Sequence, residues 1–311
     1  MDTRRLHSFV RVVDAGSITR AADLLHIAQP ALSQQMTALE AQFGQRLLSR
    51  SKQGVEPTEA GRALYRHART ILRQLEQAHA DVEVVGRELA GGVSVGLAPY
   101  STVNALALPL LSEVRARHPR VLLHIEEIGG VLSEALMTGR MDMALLYDRG
   151  PIRGVDFERL LSEDLVLVGP PELLPAVPDD DPIAVTDLAD VPLLLPGPSH
   201  TIRQVVEEAL TAESAAANVV AEVDTVVLAA RAARAGLGAT ILPESIAERV
   251  VRRGNLGRRT LSPTLTVHVS LGTASGQTLS RPAETVRSLL HEVLDAYLHR
   301  GASSSGEDLH S

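Results

Sequence analysis

The 311-residue chain contains no cysteine and no tryptophan, and aromatic residues make up only 2% of it. Without thiols, disulfides, thiolate metal centres and cysteine nucleophiles are excluded. With so few rings, the cores must be built from Leu, Val, Ile and Ala, within an apolar content of 45%. No apolar run reaches the roughly 18 residues that a bilayer-spanning helix needs. The first residues lead straight into an amphipathic pattern, with no apolar core of a signal peptide, so a cytoplasmic location is expected. Signatures of enzymes are equally scarce. No nucleophile elbow, P-loop or His-Glu-x-x-His helix is read in the chain. Gly236-Leu237-Gly238 lacks the third glycine of a dinucleotide fingerprint and follows a helical pattern. Glu126 and Glu127 point to opposite faces of a strand and cannot act as a pair. His124 reads as an ordinary strand residue, and no cluster supports a metal. No cofactor is expected.

The net charge of −8 is unevenly spread. Residues 1–57 hold seven Arg and Lys against five Asp and Glu, whereas the rest of the chain holds 23 against 33. A positive first part on an acidic chain points to a polyanion partner for that part alone.

Residues 4–15 read as a helix with Leu6, Phe9, Val10 and Val13 inward, ended by Gly16. Ser17 is placed to cap a second helix that buries Ile18, Ala21, Ala22 and Leu25. After a turn at His26-Ile27-Ala28, Pro30 opens a third helix that Gly44 stops. In that helix Leu32, Met36, Leu39 and Phe43 form an inward stripe. Ser33, Gln34 and Thr37 fall on the outer side beside Pro30. Most solvated helix faces are rich in Glu and Lys. This one carries short neutral groups that both donate and accept, as reading base edges in a major groove requires. Small residues at the crossing and a tight turn make the second and third helices a helix-turn-helix. Residues 47–57 read as a β-ribbon wing.

A long helix follows from residue 59 to about 89, capped by Thr58. Its apolar positions Leu64, Ala68, Ile71, Leu75, Ala78, Val82, Val85 and Leu89 keep a strict 3.5-residue repeat, the pattern of a dimerising coiled coil about 45 Å long. The alternative is one helix packed on its own domain. Ala90-Gly91-Gly92 reads as a break and hinge. Beyond it, short β-branched runs alternate with helices in a βαβαβ order that calls for parallel strands. A second unit of the same kind follows. Two α/β lobes (about 91–161 with 264–300, and 162–263), joined by crossing segments near 161 and 263, make a hinged ligand-binding module. The polar, Ser-rich residues 301–311 read as a disordered tail.

The run from Ala15-Gly16-Ser17-Ile18-Thr19-Arg20-Ala21-Ala22 through Gln29-Pro30-Ala31-Leu32-Ser33-Gln34-Gln35 to Thr58-Glu59-Ala60-Gly61 resembles the LysR-type transcriptional regulators. Gly139-Arg140-Met141-Asp142 and Gly236-Leu237-Gly238-Ala239-Thr240-Ile241-Leu242-Pro243 match the effector domain of that family. Details such as His26-Ile27-Ala28-Gln29-Pro30 and Gly96-Leu97-Ala98-Pro99 are similar to its nitrogen assimilation control branch. The resemblance implies an α/β protein with a winged helix-turn-helix (1–57), a linker helix (58–90) and a two-lobed, periplasmic-binding-protein-like effector domain (91–300). It implies a homodimer through the linker helix, often a homotetramer, on double-stranded promoter DNA, with RNA polymerase as a further partner and no membrane contact. Carried over by position, Gln29, Ser33, Gln34 and Thr37 meet the bases, Pro30 belongs to the same DNA-binding set, and Arg50, Lys52 and Gln53 in the wing meet phosphates. Many relatives have Ser where this chain has Ala28, which removes one helix cap.

In open α/β sheets, ligands meet the carboxyl ends of strands and the starts of helices. Ser101-Thr102 and His200-Thr201 open the first helices of the two lobes. Facing helix N-termini there would suit a small anionic effector, the class the resemblance implies. Ser101 and Thr201 also read as plain N-caps. Gly129-Gly130 line the same cleft or form a simple turn. The expected function is a DNA-binding regulator and not an enzyme. The alternative is a solute-sensing protein whose head contacts protein.

Overall fold

A computed structural model describes residues 2–51, 54–83, 89–129, 132–178, 181–252 and 254–304. Lys52, Gln53, Gly130 and residues 305–311 lie outside the described residues.

The head forms as its stop and start signals require. Helix α1 (Thr3–Ala15) is capped by the Asp2 carboxylate and ends at Gly16, whose φ of 62° is left-handed. Helix α2 (Ile18–Leu25) is capped by the Ser17 hydroxyl. Helix α3 (Gln29–Phe43) starts with Pro30 in its first turn, and its N-cap Ala28 makes no side-chain bond. Leu32, Met36 and Leu39 are buried against Leu6, Phe9 and Ala21. Phe43, expected in the same stripe, is 43% exposed. It sits in the last turn beside Gly44, where the chain leaves for the wing and the ring is only partly covered.

The wing is β1 (Leu48–Ser51) paired antiparallel with β2 (Gly54–Pro57). The Val55 N–H donates to the Gly16 carbonyl at 2.8 Å, so the turn after α1 holds the wing. Helix α4 covers Glu59–Glu83. The Thr58 hydroxyl accepts from the Gly61 N–H at 3.0 Å and donates to the Arg46 carbonyl at 2.8 Å. The heptad stripe divides in two. Leu64 and Ala68 are buried in the head core and Ile71 packs against it, whereas Leu75 is 41% exposed and Ala78 is exposed. The first positions thus pack on the helix's own domain, Leu75 and Ala78 are exposed, Leu89 packs against the effector-domain core, and Val85 lies outside the described residues.

The effector domain begins with β3 (Ala90–Leu97), α5 (Asn104–Arg117), β4 (Arg120–Glu127), α6 (Leu132–Met137), β5 (Met143–Asp148) and β6 (Val155–Gly169). Then come β7 (Ile183–Ala184), β8 (Leu193–Leu195), α7 (Thr201–Ala212), β9 (Val219–Glu222), α8 (Val226–Arg234), β10 (Thr240–Pro243) and α9 (Glu244–Val251). Strands β11 (Gly257–Arg259), β12 (Leu261–Ser262) and β13 (Leu265–Ala274) lead to α10 (Arg281–Ser304). The parallel reading holds for β3 with β4 and β5, and for β8 with β9. The crossings differ. Strands β6 and β13 run antiparallel to each other through both lobes, from Leu265 opposite Leu165 to Ala274 opposite Val155. They join a seven-stranded sheet in the order β10-β6-β13-β5-β3-β4, with β11 also on β6.

Three expectations need correction. Gly91 and Gly92 are not a break, because they already belong to β3 and pair with Val121 and Leu122. The crossing expected near residue 161 is the middle of one long strand, since β6 runs from Val155 to Gly169. The last helix continues through Ser304, so the start of the supposed tail is helical.

A Cβ at Gly61 would lie 1.9 Å from the Leu47 carbonyl oxygen. Gly61→Ala is therefore expected to push α4 off the wing and to cost the head about 1–3 kcal/mol, as overpacking does. Denaturant unfolding followed by circular dichroism checks this, and an unchanged midpoint would mean that the docking contributes nothing.

Candidate nucleic-acid interface and inter-lobe cleft

The interface is built by fixing the reading helix to the wing. The Glu40 carboxylate, one turn before the end of α3, accepts the N–H groups of Leu47 and Leu48 at 2.9 and 3.1 Å. These amides start the wing, so one side chain sets the angle between α3 and the wing. Arg50 reaches from β1 and donates to the Ser33 hydroxyl at 3.3 Å. The Thr37 hydroxyl donates to the Ser33 carbonyl at 3.1 Å. Of the residues on the outer face, Ser33 and Thr37 are therefore partly engaged within the protein. Gln29, Pro30 and Gln34 are exposed at and beyond the first turn. Arg50 is exposed on the same side, and Lys52 and Gln53 lie outside the described residues.

Behind this face, Asp14 of α1 accepts from the Tyr65 hydroxyl and, at 3.5 Å, from Arg69 of α4. Burial, with the Asp14 hydrogen bond, pushes the Tyr65 hydroxyl up to about 12. It therefore stays a neutral donor and pins α4 to α1.

The cleft between the lobes is filled by its own side chains. Tyr100 is fully buried, and its hydroxyl crosses the cleft to donate to the Val223 carbonyl at 2.6 Å. The Tyr147 hydroxyl donates to the Tyr100 carbonyl at 2.7 Å. The His200 ring stands edge-on to both tyrosines, with centroids at 5.4 and 6.2 Å. Its Nδ1 accepts the Ile202 N–H at 3.2 Å, so Nε2 carries the proton and donates to the Pro99 carbonyl, also at 3.2 Å. Below, the hydroxyls of Thr102 and Ser245 are bonded across the lobes, and Ser245 donates to Glu163 at 3.0 Å. At the rim, Arg149 binds Gln204 and Glu208.

The structure thus brings Ser101, Thr102, His200 and Thr201 to one cleft but redistributes their capping roles. His200, and not Thr201, caps α7, and α5 begins at Asn104 with Val103 at its cap. Ser101 and Thr102 are 1% and 2% exposed. Gly129 stands beside Pro99, where an added Cβ would lie 3.7 Å from the proline ring. Gly130 lies outside the described residues. Glu163, Tyr100, Tyr147 and Ser245 did not emerge from motifs. Glu163 sits in a charged stretch that reads as surface, yet it is only 8% exposed, and burial raises its carboxyl. The run Gly92-Val93-Ser94-Val95-Gly96 spells the motif of a hydrolase nucleophile elbow. Ser94, however, lies within β3 and not on a strand-to-helix turn, and its N–H is held by Asp142 at 2.9 Å.

These features define a two-module protein: a winged helix-turn-helix head with a braced reading helix, and a two-lobed α/β domain with a closed cleft. Family models agree with that division. Residues 3–62 match the bacterial regulatory helix-turn-helix protein, lysR family, and residues 86–295 match the LysR substrate binding domain. The chain belongs to the LysR family of DNA-binding transcriptional regulators, which leaves no room for the solute-sensing alternative or for an enzyme. It is 42% identical to the nitrogen assimilation regulatory protein nac of Klebsiella aerogenes, over 93% of this chain and 94% of that one. The protein of the same name from Escherichia coli (strain K12) is 40% identical, over 95% and 96%. Among solved structures, ArgP from Mycobacterium tuberculosis shares the fold with a TM-score of 0.72 at 21% identity, covering 94% of this chain and 97% of that one. Full-length CbnR complexed with its target DNA shares it with a TM-score of 0.51 at 22% identity, covering 94% and 100%.

Burial lowers the His200 imidazole below its ordinary 6.5. The folded state then binds fewer protons than the unfolded one, so the stability from this site is complete above pH 6.5 and is lost as pH falls below it. Thermal melts from pH 8 to pH 5.5 should show a decline that is shallower in His200→Asn, whose amide cannot titrate. An equal decline in both would mean that His200 does not control it.

Proposed function

We propose that this regulator binds promoter DNA as a symmetric dimer and that α3 reads bases while the wing holds phosphates. The observation that carries this reading is the outer face of α3, neutral and exposed at Gln29 and Gln34, with Glu40 bracing the helix to the wing. Gln29 and Gln34 are the base readers, with Pro30 setting the approach of the first turn. A glutamine amide pairs with the donor and acceptor of an adenine edge better than with guanine. Ser33 and Thr37 contribute by shaping the face, and Ser33 by aiming Arg50. Arg50, Lys52 and Gln53 contact the backbone, which fixes register without reading sequence.

The exposed half of the α4 stripe is the natural place for a second copy, and two copies place two reading helices on an inverted repeat about one helical turn apart. A tetramer of two such dimers, contact with RNA polymerase and a place on the nucleoid in the cytoplasm complete the reading. The likeness to the two nac proteins supports a role in nitrogen metabolism.

The effector site is the cleft at Ser101, Thr102, Gly129, Gly130, His200 and Thr201. A ligand entering there must displace the Tyr100–Val223 bond, and lobe movement along the β6–β13 ladder would then pass to the head. Glu163 beneath the cleft opposes an anion at its floor. An anionic effector would instead place its charge at the rim, by the start of α7.

A salt titration of binding to a cognate promoter fragment tests the reading. Affinity should fall with a log–log slope of about −0.9 per phosphate contacted. Gln34→Ala should lose about 1–3 kcal/mol at one or two base pairs while non-specific binding holds. Arg50→Ala and Lys52→Ala should weaken all sequences alike and reduce the slope by about one each. A uniform loss in Gln34→Ala would reassign that residue to positioning.

A further inference from the structure

We propose that the cavity between the head and the first lobe is a second ligand site, for a small multivalent oxyanion gripped by Arg11, Arg69 and Arg140. The cavity has a volume of about 520 Å³ and is walled by three parts of the chain. Helix α1 supplies Arg11 and Asp14, and α4 supplies Arg69. The first lobe supplies the Gly91–Gly92 backbone of β3 and the turn carrying Arg140 and Asp142. Gln277, on the loop between β13 and α10, donates to the Thr70 hydroxyl of α4 at 3.4 Å and ties the two sides together.

Three guanidiniums therefore face two carboxylates, and both carboxylates are already engaged. Asp14 takes the Tyr65 hydroxyl and Arg69. Asp142 accepts the Ser94 N–H and so fastens the start of β5 to β3. Arg11 and Arg140 are exposed to the cavity, and no carboxylate among the described residues pairs with either. Like charges lining one recess repel each other, and an oxyanion bound there relieves that repulsion. The planar donor fork of arginine fits two oxygens of one carboxylate or phosphate. The wall also leaves room, since a Cβ at Gly92 would meet nothing within 4 Å.

The chemistry shared by the candidates is a compact anion with several oxygens, either a phosphate or a polycarboxylate. Bound there, it would bridge α1 and α4 to the first lobe. The head would lose freedom relative to the effector domain even with the inter-lobe cleft closed. This site is thus a second input, separate from the cleft and independent of whether the cleft takes a ligand.

The test uses the full chain without DNA, at constant ionic strength, with inorganic phosphate and citrate as separate probes. Isothermal titration and thermal melts should show saturable binding of at least one probe. Phosphate alone would identify the phosphate class, and citrate alone the carboxylate class. Arg11→Gln and Arg140→Gln, both surface positions, should each weaken that binding about ten-fold or more, the loss of a charge-assisted hydrogen bond. Arg115→Gln, on the exposed face of α5 away from the cavity, should leave it unchanged. Absence of binding by both probes, or the same loss in all three variants, would overturn the proposal. Promoter binding by the anion-free wild type, measured in parallel, reports on the regulator reading separately.

Discussion

One carboxylate ties the third helix of the head to the wing. Glu40 ends its helix turn by accepting two successive amide protons, from Leu47 and Leu48. An ionised acceptor makes stronger bonds than a neutral one, and two of them fix an angle as well as a distance. The other contacts of the head depend on that angle. With the wing set against α3, Arg50 reaches Ser33. With Leu47 held, its carbonyl receives the Thr58 N–H at 2.9 Å, and Gly61 can pass close to it. The reading helix, the wing and the start of the linker are therefore one rigid unit, and a turn of α4 must turn all of it.

The effector domain depends on a different constraint. Its two lobes share β6 and β13, whose ladder is continuous except for a shift at Val269/Ser270. Lobe movement must concentrate at such an irregularity, because a regular ladder resists bending. The cleft above the ladder is closed by bonds that cross it: Tyr100 to Val223, His200 to Pro99, and Thr102 to Ser245. These groups are buried or half-buried, so opening the lobes without replacing their partners leaves polar atoms unsatisfied. Separating the lobes therefore requires groups that replace these partners, water or a ligand among them.

Much of this was legible in the residues, for reasons that differ by element. Gly16, Gly44 and Ser17 announce helix ends through backbone geometry and capping, which are local, and the structure places those ends where they predict. The helices and short buried strands of both lobes follow from apolar periodicity. The first part of β6 was missed because its run of Asp156, Glu158 and Arg159 resembles a surface loop. Those residues lie on exposed positions of a strand, and Glu158 is paired with Arg287 of α10 at 3.1 Å. Glu163 and Ser245 were missed because their meeting depends on residues 82 apart in the chain. A charged residue in a charged stretch carries no local sign of burial. The cleft residues Ser101 and His200 were found, but their roles were misassigned, since a histidine cap is rarer than a hydroxyl one.

The linker repeat shows how one pattern can serve two partners in succession. A strict 3.5-residue period keeps one stripe facing one direction for the length of a helix. Here the first heptad of that stripe is already covered, with Leu64 and Ala68 buried under α1. The next positions, Leu75 and Ala78, continue the same line into solvent. A second helix laid on the exposed half would therefore lie directly in line with α1. Its position would be sensed by the head through one continuous row of side chains, with Ile71 at the boundary. The tie of Asp14 to Tyr65 and Arg69 flanks that boundary and keeps α1 from sliding along the row. A displacement of such a helix would therefore be passed to α1, and through it to α3, by side-chain packing.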